Sequence, residues 1–188
     1  MQQRLQNRLM LIMLLRSKLF IFIGVLFLSG SVYAQTAKEH LSMGNDEFKQ
    51  GNFDRAIVDY TKAIDINPNL AKAYNNRGVA YAQEGSFSRA ISDFTMAIAN
   101  NFKDAEAYNN RGLVYAKQGN LTRAVFDYTK AIKNDAFYVK AYNNREMAYY
   151  KLKKYDKAWS DVHTVEVIGG TVDPYFIQEL KKASGKDQ

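Results

Sequence analysis

From Ala37 onward the small and apolar residues recur in a frame of 34 residues, and the stretch Ala71 to Asp104 is repeated almost position for position by Ala105 to Tyr138. A more divergent copy occupies 37–70 and a fourth occupies 139–170. Counted from the first residue of each copy, glycine holds position 8 (Gly44, Gly78, Gly112), and alanine holds positions 20 (Ala56, Ala90, Ala124, Ala158) and 27 (Ala63, Ala97, Ala131). Aromatic residues take positions 4 (Tyr74, Tyr108, Tyr142), 11 (Tyr81, Tyr115, Tyr149) and 24 (Tyr60, Phe94, Tyr128), with Ile64, Ile98 and Ile132 at 28. These spacings predict two amphipathic helices per copy, close together where small residues meet and filled by rings elsewhere. Gly51, Gly85 and Gly119 fall between the two, where a residue with positive φ can end the first helix. Asp54, Ser88, Thr122 and Asp156 follow three residues later as N-cap types able to start the second. Beyond Gly169 and Gly170, residues 173–183 predict a terminal capping helix, with Asp173 as N-cap, Pro174 at its first position, and Phe176, Ile177 and Leu180 on one face.

Period, small positions and turn residues together resemble the tetratricopeptide repeat family, and Pro68 occupies that family's closing proline in the first copy. The resemblance implies an all-α fold: a right-handed solenoid of four helix-turn-helix repeats with a cap, each repeat packed on its neighbours. The copies depart from the pattern where Glu146 replaces the packing glycine, Lys153 the turn glycine, and His40 and Glu47 two aromatics.

The resemblance also implies a concave groove lined by positions 2, 5, 6, 9, 12 and 13 of the first helices. Transferred to this chain, these positions carry Lys38, Lys49, Lys72, Lys117, Lys140 and Lys151 against Glu106, so the groove holds about +5 and an acidic partner segment is expected. Leu41, Phe48, Val79, Leu113, Met147 and Tyr150 share that face. Asn76, Asn110 and Asn144 form a column at position 6, beside Asn75, Asn109 and Asn143 at position 5. Such a column is similar to the arrangement by which a member of the family grips an extended peptide backbone, since an amide both donates and accepts. Asparagines satisfying backbone groups within the helix interface are the competing reading for position 5. The family's clamp for chaperone tails is present in part: Asn45 and Asn76 match it, while Leu41 and Asn110 stand where it has a lysine and an arginine.

Charge also enters the pattern at position 7 (Arg77, Arg111, Arg145) and position 23 (Asp59, Asp93, Asp127, Asp161). Pairing each aspartate with the arginine 18 residues on, Asp59 with Arg77, Asp93 with Arg111 and Asp127 with Arg145, leaves exceptions only at the two ends and predicts bidentate pairs between repeats. Pairing 16 residues apart, within a repeat, is the competitor.

Residues 1–34 stand outside the repeat. Arg4, Arg8, Arg16 and Lys18 precede the apolar run LFIFIGVLFL, and Val32 and Ala34 have the small-residue spacing of a cleavage site, so the segment reads as a secretory signal cut after Ala34, leaving 35–188 as the repeat domain. The apolar run is short for a span needing about 20 residues, although retention would make it a single membrane anchor. The segment holds four of the 26 basic residues and no acid, leaving 22 basic residues against 19 acids, +3, in the remainder. That weak balance, with no arginine run, argues against nucleic-acid binding. The chain has no cysteine, so disulfides and thiolate metal sites are excluded. His40 and His163 lie in different repeats, and no nucleophile, base or phosphate-loop spacing stands out, so no catalysis, metal or cofactor is expected. The sequence thus reads as an exported, periplasmic or secreted interaction scaffold holding a partner's extended segment in its groove. The alternative is a structural subunit or assembly factor of a cell-envelope complex, using the convex face and the repeat ends.

Overall fold

The computed structural model describes residues 35–185, and the N-terminal targeting segment expected from the sequence lies outside them. The described chain opens on α1, which runs over 35–49. It continues through α2 (Phe53–Ile66), α3 (Ala71–Gln83), α4 (Phe87–Asn100), α5 (Ala105–Lys117), α6 (Leu121–Asn134), α7 (Val139–Lys151), α8 (Tyr155–Val167) and α9 (Pro174–Ser184), with no strand among the described residues. Odd and even helices alternate as inner and outer members of four hairpins, and α9 closes the stack. No helix among the described residues is long and apolar enough to cross a membrane.

What sets each hairpin is the closest approach of its two helices. A Cβ built on Gly78 would lie 2.8 Å from the ring of Phe94, and on Gly112 it would lie 2.7 Å from the ring of Tyr128. Only a residue without a side chain lets α3 and α5 lie against rings that are themselves 1% exposed. The fourth hairpin exchanges both partners at once: the glycine becomes Glu146 and the ring becomes Val162, and each is buried. Volume is conserved there at the cost of a buried carboxyl.

The turns are held by a left-handed residue, with φ of +81° at Gly51, +75° at Gly85 and +79° at Gly119. Lys153 takes the same conformation without glycine's freedom, at φ 57°. The outer helices start two residues earlier than the capping residues expected from the sequence. Their N-caps are Asn52, Ser86, Asn120 and Lys154, and Asp54, Ser88, Thr122 and Asp156 lie inside the first turn. Asn120 accepts from the Arg123 amide at 3.2 Å. A turn closed immediately after the left-handed residue leaves no room for the longer loop that the later capping residues would need. At the C-terminus, Asp173 caps α9 through the Tyr175 amide at 2.9 Å, and Phe176 and Leu180 bury against Trp159 and Val162 of α8.

Candidate functional site

The inner helices α1, α3, α5 and α7 form one wall, and its repeats are tied by amides. Asn76 Nδ2 donates to Asn45 Oδ1 at 2.7 Å, Asn110 Nδ2 to Asn75 Oδ1 at 3.1 Å, and Asn144 Nδ2 to Asn109 Oδ1 at 2.8 Å. The Tyr60 hydroxyl adds a bond to Asn45 at 3.0 Å, and burial pushes its own pKa up to about 12. Asn75 and Asn109 are buried, so they hold the wall together and are not available to grip a ligand, contrary to the expectation for position 5. Asn143 turns to the Thr171 carbonyl at 3.0 Å instead. Asn76, Asn110 and Asn144 each spend one N–H on this ladder and retain a second N–H and, at Asn110 and Asn144, a carbonyl for a bound backbone.

The arginines behave differently from the expected inter-repeat pairs. Arg77 grips Asp93 through Nε and Nη2 at 2.7 and 2.9 Å, Arg111 grips Asp127 at 2.8 and 2.8 Å, and Arg145 grips Asp161 at 2.9 and 2.7 Å. Each bidentate pair lies within one hairpin, 16 residues apart. The reason is the close approach already described: position 8 faces position 24, so position 7 must face position 23. Asp59, opposite Met43, takes Lys62 at 3.1 Å and His40 at 3.7 Å. A link between repeats does exist through the third guanidinium nitrogen: Arg77 Nη1 donates to Thr61 Oγ1 at 2.9 Å, Arg111 to Thr95 at 3.1 Å and Arg145 to Thr129 at 3.0 Å. Each threonine gives its own proton to the carbonyl four residues back at 2.7 Å, leaving a lone pair for the arginine. The hydrogen bond to the buried Asp127 holds Arg111 above its ordinary pKa. These three arginines are therefore committed to structure.

Two hollows lie in series on the concave face. One of about 350 Å³ is lined by Asn45, Phe48, Lys49, Tyr60, Lys72, Asn76, Val79 and Glu106. A smaller one of about 60 Å³ adjoins it at Val79 and is lined by Phe94, Asn110, Leu113 and Lys117 among others. Val79 is common to both. Asn144 and Lys140 line neither. Charge is unevenly spread: Lys72 pairs with Glu106 at 2.7 Å and Lys49 with Asp46 at 3.3 Å, both exposed, so the larger hollow is close to neutral. Of the basic rim expected from the sequence, Lys38, Lys117, Lys140 and Lys151 make no ion pair among the described residues, and three of these four lie in repeats three and four.

Sequence reasoning missed Tyr60 as a groove residue and the threonines at position 25, although three copies carry one. It also passed over position 19, where Arg89 stacks on Tyr81 at 5.6 Å, Arg123 on Tyr115 at 5.5 Å and Lys157 on Tyr149 at 5.7 Å. Among the described residues no group of three or more His, Asp or Glu side chains could hold a metal ion.

Known proteins share this architecture. The crystal structure of MamA superposes with a TM-score of 0.68 at 26% identity, covering 71% of this chain and 78% of that one. The first tetratricopeptide domain of Spaghetti (RPAP3), solved bound to the HSP90 peptide SRMEEVD, gives a TM-score of 0.62 at 32% identity over 63% of this chain and 94% of that one. Hsp70-Hsp90 organizing protein 1 of Arabidopsis thaliana is 49% identical over 43 residues, which is 23% of this chain and only 8% of that protein's length. Three tetratricopeptide repeat profiles match at 44–85, 71–104 and 105–137. Together these matches run without a gap over half of the chain, and they place it in the tetratricopeptide repeat family.

Proposed function

We propose that this chain is a protein-interaction module that holds an extended segment of a partner protein along the concave face of α1, α3, α5 and α7. The observation that carries the reading is the larger hollow, where an apolar floor of Phe48 and Val79 meets the amides of Asn45 and Asn76. A side chain can be buried there while the adjoining backbone pairs with an amide, which are the two requirements for holding a peptide in extended form. The Spaghetti (RPAP3) domain was solved with an acidic peptide, and its likeness supports a ligand of the same class. In this chain a preference for acidic residues would come from Lys117, Lys140 and Lys151, because Glu106 neutralises Lys72.

The competing reading, a subunit held by its convex face, predicts the opposite sensitivity to mutation. Val79→Arg fills both hollows, whereas Phe126→Arg alters an outer-helix residue that is 58% exposed. In a crosslinking pull-down with the full chain, proteins retained by Phe126→Arg and lost with Val79→Arg identify the groove as the docking site. Loss with Phe126→Arg alone transfers the function to the convex face. The N-terminal pattern further leads us to propose export with removal of residues 1–34, and an exported species whose intact mass includes those residues would overturn that step.

A further inference from the structure

We propose that the segment held in the groove is bipartite: an apolar stretch lies over repeats three and four, and an acidic stretch leaves the groove across the α5–α6 and α7–α8 turns. This rests on the groove reading above and assigns it a direction and a second contact surface.

The turn edge of the solenoid is electrically lopsided. In repeats three and four it carries Lys117, Arg123, Lys151, Lys153, Lys154 and Lys157, all exposed, against the single acid Asp156. In repeats one and two the same edge carries Asp46, Glu47, Asp54 and Glu84 against Lys49, Arg55 and Arg89. One half of the edge is therefore +5 and the other −1. In the acidic half, desolvation and a hydrogen bond that the protonated Glu84 donates to Asp54 push the Glu84 carboxyl above its usual range, as expected where carboxylates crowd. Two cations of the basic half are placed by rings, since Arg123 and Lys157 lie over Tyr115 and Tyr149. Adjacent helices pack roughly 8–10 Å apart, about one Debye length at physiological salt, so the two turns act as one field.

Groove and edge share two residues. Lys117 and Lys151 end α5 and α7 and also form the groove's turn-side rim. One helical turn before each of them stands an apolar side chain left 39% exposed, Leu113 and Met147. A ligand covering Leu113 and Met147 and continuing past the two lysines runs directly onto the cluster. An acidic polypeptide fits this continuity better than a flat anionic surface, which could reach the turn tips but not Leu113 and Met147 inside the concavity.

The test uses the full chain and two fluorescent peptides of one composition, one with its leucines in one half and its glutamates in the other, the second with them interleaved. Anisotropy titrations with the parent should favour the segregated peptide by about tenfold at low salt, and the preference should collapse at high salt. The exposed-residue variant Lys151→Gln/Lys154→Gln/Lys157→Gln, with an unchanged helical spectrum, should lose that preference while still binding. Val79→Arg should weaken both peptides. Equal binding of the two peptides by the parent, with Val79→Arg still weakening both, would sink the bipartite proposal and leave the groove reading standing. A preference that survives the triple substitution sinks it as well. Peptides that fail to bind at all, combined with capture by vesicles containing phosphatidylserine that the triple substitution abolishes, would overturn both readings in favour of a membrane surface.

Discussion

Glu146 offers the sharpest physical test of how the repeats are packed. It occupies the place of the packing glycine, is 3% exposed, and one carboxyl oxygen, Oε2, finds no hydrogen-bond partner. Desolvation, and secondly the charge of Asp161, push its pKa from 4.5 up to about 8. Asp161 cannot relieve it, being held by Arg145. A carboxyl with a raised folded-state pKa stabilises the protein fully below its unfolded value, and that stabilisation drains away as pH rises from about 4.5 to about 8. At about 1.4 kcal/mol per unit, the whole shift corresponds to about 5 kcal/mol. The loss is capped if α7–α9 undock first, because an end repeat of a solenoid can open alone. Trp159, the chain's single tryptophan, sits in α8 and reports that repeat. Urea unfolding followed by its fluorescence from pH 5 to pH 9 should show the parent losing stability steadily, while Glu146→Gln, isosteric and uncharged, stays flatter. His163 stacks on Trp159 in both proteins, so its contribution to the emission cancels in the difference. Parallel profiles for parent and Glu146→Gln across this range would refute the account of a buried, unrelieved carboxyl.

Two further outcomes follow from the same hairpin geometry. Arg111→Leu strands the Asp127 carboxylate, which is 1% exposed, and should cost roughly 3–5 kcal/mol in urea unfolding, with Arg111→Leu/Asp127→Leu recovering most of it; equal stability of the parent and the single variant would remove the pair from the account. Lys153→Gly relieves a left-handed lysine at φ 57° and should raise stability by about 1 kcal/mol, and a lower melting temperature would contradict that.

The helices and the order of repeats were legible in the sequence because the signal is redundant: four copies vote on each small or aromatic position. The pairing of charges was legible too, but from a different pair of residues than the charges themselves. Counting which ends are left over cannot decide between spacings of 16 and 18, since the chosen pairing leaves Met43 and Asp161 over and its rival leaves Met43 and Asp59. Gly78 and Phe94 do decide it: a glycine opposite a ring, 16 residues apart, marks the line of closest approach, and the neighbouring Arg77 and Asp93 must lie on the same line. The asparagines posed a harder problem. Their periodicity says only that they share a helix face, whereas their partners lie 31 or 35 residues away on the next inner helix, at an offset set by how each repeat rotates on the last. That rotation depends on packing summed over whole interfaces and leaves no mark on any one residue. It also decides that Glu106 reaches Lys72, which leaves the larger hollow close to neutral while Lys117, Lys140 and Lys151 stay unpaired. The groove's polarity is therefore a property of the superhelix, and it is why an acidic ligand segment is expected at the α5–α6 and α7–α8 turns and not along the whole concave face.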